Sequence, residues 1–147
     1  MFGSIVVGTD GSDTAREAVR QATELAKAVG ARLHLVLAYE PVSGQRLREE
    51  RQDVPDDLQW MVNPRSDVDA TLKVASDEAK EQGIEVNTFP REGDPADAIL
   101  DVAEETNADL IVVGNKGMTG AKRFLLGSVP NKISHHAGTS VMIIRTT

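Results

Sequence analysis

The chain has 147 residues, 40% hydrophobic and 27% charged, with a formal net charge of −7, no cysteine and 3% aromatic residues. These values exclude disulfide and thiolate chemistry, disfavour a general nucleic-acid binder, which needs a basic face, and withhold the aromatic platforms on which single strands stack. The length suits one domain over residues 1–147 with an aliphatic core, the start Met1-Phe2-Gly3-Ser4 has no leader pattern, and no apolar run nears the roughly 20 residues of a bilayer span, so a cytoplasmic protein is expected.

Ser4 to Gly8 is a short apolar run suited to a strand buried on both faces. Thr9 to Asp13 follows, rich in turn residues, and Ser12, Asp13 or the pair Thr14 and Glu17 could cap the helix that begins there. Ala15, Ala18, Val19, Ala22, Leu25, Ala26 and Val29 recur at spacings of three and four, one helical stripe closed by Gly30. Arg32 to Ala38 reads as a second buried strand. Residues 45–66 are charged, contain Pro55 and Pro64 and show little periodicity. They read as a long insertion with a helical turn near 45–51, serving as a lid, a partner surface or a tolerated excursion. Val68, Leu72, Ala75 and Ala79 mark a second helix stopped by Gly83, and Ile84 to Phe89 alternates like a strand near an edge. Gly93-Asp94-Pro95 opens a third helix, with Ile99, Leu100, Val102 and Ala103 on its buried side and Asn107 at its end. Asp109 to Gly114 is a strongly apolar strand. Ser128 caps a last helix carrying Val129, Ile133 and Ala137, with Pro130 in its first turn, and Ser140 to Arg145 forms a fifth strand. Strands alternating with helices imply a parallel sheet covered on both faces.

In such a sheet, ligands bind beyond the carboxyl ends of the strands, where strand order reverses. Two loops have the composition for that place: Gly8 to Ser12, and the stretch from Gly114 to Ser128. Glycines let the backbone approach a ligand, successive N–H groups can enclose an anion, and Gly127-Ser128 presents a helix N-terminus. Lys116, Lys122 and Arg123 add positive charge to one loop of an acidic protein. Neither standard phosphate pattern is met: there is no G-x-x-x-x-G-K-[ST], and Gly114, Gly117 and Gly120 do not fit G-x-G-x-x-G. Asp10 has an alternative role as a cap of the first helix. His135 and His136 are adjacent on a helix and point apart, which argues against a metal site. His34, on a strand, reads as a packed or rim residue, and Trp60 in the insertion either folds over the pocket or lies exposed.

Gly114, Gly117 and Gly127-Ser128 in the spacing G-x2-G-x9-G-S, the apolar strand ending in Gly8-Thr9-Asp10-Gly11-Ser12, and Gly93-Asp94-Pro95 together resemble the universal stress protein family over the whole chain. The resemblance implies an α/β fold, a five-stranded parallel sheet in the order 3-2-1-4-5, adenine nucleotide alpha hydrolase-like. It places this chain with the family's ATP-binding branch. It assigns Asp10 and the Thr9 backbone to adenine or ribose, Ala38 to the adenine, and Val113 and Gly114 to the ribose side. Lys116, Gly117, Gly127, Ser128 and Val129 would meet the phosphates through backbone N–H groups, with the Ser128 hydroxyl added. Ala38 is smaller than the family would lead one to expect, and Pro130 has no N–H to donate.

The expected function is an ATP-binding regulator of the stress response rather than a dedicated enzyme. A cradle and cations are present, but no base is evident for hydrolysis. Asp10 could reach Mg²⁺ through water. AMP or cyclic AMP is the alternative ligand, and slow ATP hydrolysis or autophosphorylation the alternative activity. A receiver domain is set aside because Thr88-Phe89-Pro90 offers no acceptor aspartate. The apolar last strand, at a sheet edge, is expected to pair two copies into a homodimer through residues 140–145.

Overall fold

The computed structural model describes residues 2–39, 64–115 and 128–146. Its elements are β1 (Ser4–Gly8), α1 (Asp13–Val29), β2 (Arg32–Tyr39), α2 (Pro64–Lys80), β3 (Val86–Glu92), α3 (Pro95–Glu105), β4 (Leu110–Gly114), α4 (Ser128–His136) and β5 (Ser140–Ile144). The five strands are parallel, in the order β3-β2-β1-β4-β5.

The sheet separates two cores. On one face Ile5, Val7, Leu33, Leu35 and Leu37 pack with Ala18, Ala22 and Ala26 of α1 and Val68, Leu72 and Ala79 of α2. On the other, Val6, Val36, Ile111 and Val113 pack with Ile99 and Val102 of α3 and Val129 and Ile133 of α4. Ile5, Val6 and Val7 have no exposed surface, the double burial that a central parallel strand requires. Burying each such side chain is worth roughly 1.5–3 kcal/mol.

Helix ends follow local chemistry. Of the possible caps of α1, the structure selects Ser12, whose hydroxyl accepts from Ala15 N at 3.2 Å. Gly30, at φ 72°, closes the helix by donating to Ala26 O. Asp94 caps α3 by accepting from Asp97 N at 3.0 Å, ahead of Pro95 at the first helical position. Asn107 follows that helix at φ 51°.

Several boundaries differ from expectation; β2 ends at Tyr39, β3 begins at Val86 and β5 ends at Ile144. Pro64 to Ser66 open α2 instead of ending the insertion, because the fixed φ of proline suits a first turn. The rest of residues 45–66, with Trp60, lies outside the described residues. β4 begins at Leu110; Asp109 before it donates its N–H to Ser4 O at 3.0 Å, and its carboxylate accepts from Gly3 N (2.9 Å) and Ser4 N (3.2 Å). Ser128 is the first residue of α4 rather than the residue before it. β3 runs on through Pro90 to Glu92. Leu33 N donates to Glu85 O and Gly93 N to Tyr39 O, so odd-numbered residues of β3 face β2 and Pro90 turns its ring nitrogen to the open edge. The end of β3 is therefore not Phe89, and a receiver domain is excluded instead by strand order, which for that fold is 2-1-3-4-5.

Among the described residues, no helix is long and apolar enough to cross a membrane.

Candidate functional site

β1 and β4 are the neighbours at which strand order reverses. Pairing of β1 with β4 extends to Val7↔Val112. β1 stays with β2 as far as Gly8↔Val36, extended by Thr9 N donating to Val36 O at 2.9 Å. β4 stays with β5 as far as Gly114↔Ile144, extended by Asn115 N donating to Ile144 O at 2.8 Å. Each strand thus follows its outer neighbour, and a crevice opens between β1 and β4 at their carboxyl ends, the position that suits a ligand in this architecture.

Thr9 and Gly114 stand at the ends of the two strands that flank the crevice, with Asp10 following Thr9 and Ala38 near the end of β2, on the far side of β1. Thr9 is buried, and its hydroxyl accepts from Gly11 N at 3.2 Å. Asp10 is half-buried, and its Oδ1 accepts from Ser12 N at 2.9 Å. These two turns close on themselves, while Gly11 takes φ 82°, a conformation that glycine adopts without a Cβ penalty. Asp10 therefore shapes the turn before α1 and does not cap the helix, a role that Ser12 fills.

Val113 and Val129 are only 2% and 7% exposed, with side chains committed to the α3/α4 core. Only their backbones are left to meet a ligand. Ala38 and Gly114 are half-buried and Ser128 is exposed. Lys116, Gly117 and Gly127, with Lys122 and Arg123, lie outside the described residues.

Two interactions that the sequence did not signal hold the rim. The Asn115 side-chain oxygen accepts from Thr146 N (2.8 Å) and Thr146 Oγ1 (3.0 Å), tying the start of the glycine-rich stretch to the chain after β5. Lys132 Nζ lies 2.9 Å from Asp97 Oδ1 and 3.3 Å from Asp94 Oδ2, fastening α4 to the first turn of α3. Hydrogen bonds that Lys132 donates to the Asp97 and Asp94 carboxylates raise its pKa, and the Asp97 N–H with Lys132 lowers that of Asp94. The partners stand 31 and 35 to 38 positions apart, beyond the reach of periodicity or local pattern.

A cavity of about 630 Å³ runs from Thr9 and Gly11 along the groove between α1 and α2, past Thr71, Val74 and Ala75. Among the described residues no group of three His, Cys, Asp or Glu could hold a metal. His34 is buried 2.9 Å from Ser4 Oγ, at the opposite end of β2 from the crevice, in keeping with a packed role.

A model of the universal stress protein family matches residues 1–145. A universal stress protein of Mycobacterium tuberculosis is 37% identical over 147 residues, covering 99% of this chain and 98% of its own. A solved universal stress protein in complex with cAMP is 34% identical, with a TM-score of 0.74, covering 99% of this chain and 98% of its own. The universal stress protein from Archaeoglobus fulgidus in complex with dAMP is 26% identical, with a TM-score of 0.68, covering 98% of both chains. Strand order and these likenesses make the fold adenine nucleotide alpha hydrolase-like.

Proposed function

This chain belongs to the universal stress protein family, and from that premise we propose that it is an ATP-binding regulator of the stress response rather than a dedicated enzyme. The observation that carries the reading is the crevice between β1 and β4, with Thr9 and Gly114 at the ends of the strands that flank it, Asp10 following Thr9, and Ala38 near the end of β2. The adenosine end lies against Thr9, Asp10 and Ala38, with the ribose along the backbone of Val113 and Gly114. The phosphates run toward Lys116, Gly117 and Gly127 and the first N–H groups of α4 at Ser128 and Val129. Helix N-terminal N–H donors suit such an anion. Pro130 contributes no N–H, so the donors at this end come from the residues before it.

Hydrolysis requires a positioned water, a base and stabilised transition-state charge. Asp10 is a carboxylate at the crevice, and it already serves the turn through Oδ1. It fits a Mg²⁺ ion reached through water, but not a ligand set of its own. This supports binding with slow turnover at most.

A second reading takes cyclic AMP or AMP as the ligand, favoured by the relatives solved with cAMP and dAMP. Titration calorimetry with ATP, AMP and cyclic AMP decides between them. The expected result is tighter binding of ATP, and at least a tenfold loss for ATP in Gly117→Val, roughly 1.4 kcal/mol, with adenosine unaffected. Equal ATP affinity in wild type and variant removes the phosphate cradle. Tighter cyclic AMP in wild type hands the site to the second reading.

Assembly is proposed as a two-fold dimer through β5 and residues 140–145. Met142 and Ile143 are exposed on this edge strand, and a long apolar edge needs a cover.

A further inference from the structure

The loop that forms one rim of the crevice leans on a residue outside it. A Cβ at Gly11 would lie 3.0 Å from Thr71 Cγ2 and 3.4 Å from Thr71 Oγ1, so this side chain closes off the space into which a side chain at position 11 would project. Thr71 belongs to α2, a helix fixed to the sheet by Val68, Leu72 and Ala79, each no more than 4% exposed. Thr9, Gly11 and Thr71 line the same cavity. Within the loop, Thr9 and Asp10 brace the N–H groups of Gly11 and Ser12, which fixes its internal shape but not its tilt toward or away from the crevice.

We propose that Thr71 is a positioning residue for the nucleotide site: its methyl group is the wall that keeps the Thr9–Ser12 loop, and with it the Asp10 carboxylate, turned toward the nucleoside. The inference rests on the proposed adenine-nucleotide reading and adds to it the part played by α2. The methyl group, not the hydroxyl, is the operative feature, because Cγ2 is the atom nearest to where a Cβ at Gly11 would stand. Removing it leaves a gap into which the loop relaxes. The nucleoside end of the ligand then loses affinity, and the phosphate end does not change.

The test pairs Thr71→Ser, which removes the methyl, with Thr71→Val, which keeps it and removes the hydroxyl. In Thr71→Ser, adenosine and ATP are each expected to bind about fivefold more weakly, at the low end of couplings between distinct groups of a protein. Thr71→Val is expected to restore wild-type affinity for both. A merely structural role would follow melting temperature instead of splitting the two variants by ligand affinity. Weakening in Thr71→Val with Thr71→Ser unchanged, or no change in either, overturns the proposal. A ligand-free double-mutant cycle keeps the inference separable from the reading beneath it. Gly11→Ala is expected to lower the melting temperature less in the Thr71→Ser background than in wild type, because part of its cost is the collision with Cγ2. Strict additivity overturns the contact by itself, whereas absence of adenosine and ATP binding by the wild-type protein overturns the nucleotide reading.

Discussion

On β3, Pro90 turns its ring nitrogen outward, and Arg91 and Glu92 follow it in the strand. On β5, Asn115 N bonds to Ile144 O, so the alternation of the strand turns the backbone of Val141 and Ile143 outward with every N–H in place. Both are edges of one parallel sheet, and both offer a row of backbone groups to a further strand. One edge lacks a donor where a new strand would need it, and it is flanked by charge. The other is continuous and apolar, with Met142 and Ile143 37% and 38% exposed. Proline and charge are devices that keep an edge from pairing. The difference teaches that pairing is blocked on one side of the sheet and left open on the other, which is why the proposed dimer uses β5.

The heaviest blow to this contrast is a charge on the open edge. Ile143→Lys is expected to weaken self-association about 100-fold, roughly 2.7 kcal/mol, and to give a monomer by sedimentation at micromolar concentration while nucleotide binding persists. A wild-type protein that is already monomeric there removes the β5 dimer. A smaller effect is expected from unblocking the other edge. Pro90→Val restores an outward N–H, so size-exclusion profiles should gain species larger than the wild type, with stability changed by no more than about 0.5 kcal/mol, as for other surface substitutions. An unchanged profile would mean that charge, not the missing donor, guards β3.

The smallest effect concerns the interior beside the blocked edge. His34 stands in register with Asn87 of β3, 2.9 Å from Ser4 Oγ and edge-on to Phe89 at 5.7 Å between ring centres. Burial, with the charge of Arg32, holds its pKa below the ordinary 6.5, while Glu85 pulls the other way. The folded state therefore prefers neutral histidine. Its contribution is present above the unfolded pKa and is lost as pH falls below about 6.5 toward the lower folded value. His34→Gln, which cannot take up this proton, should flatten the fall in denaturant midpoint between about pH 7 and 5. An equal slope in both proteins removes His34 as the source.

The guarded edge also shows where sequence reading fell short. Period-two alternation marked β3 but ended it at Phe89, because a proline normally breaks a strand. Only the bonds at Glu85 and Tyr39 reveal that Pro90 falls on the side where no donor is needed. Asp10 has capping the first helix as an alternative role, since the residue types that cap helices also close turns. Its bond to Ser12 N decides the matter. The insertion was drawn three residues too far, to position 66, because Pro64 serves a helix start and a loop equally well.

What the chain by itself determined was the alternation of elements, the buried stripes of the helices, the doubly buried β1 and β4, and the two glycine-bearing loops that could meet a ligand. These are local signals, carried by residues within a few positions of one another. Tertiary structure decided the rest: the separation of β1 from β4 after Val7 and Val112, the hold of Lys132 on α3, and the placing of Thr71 beside Gly11. Each joins groups that lie far apart in the chain. Such contacts are set by how helices settle on a twisted sheet, and no spacing along the sequence encodes them.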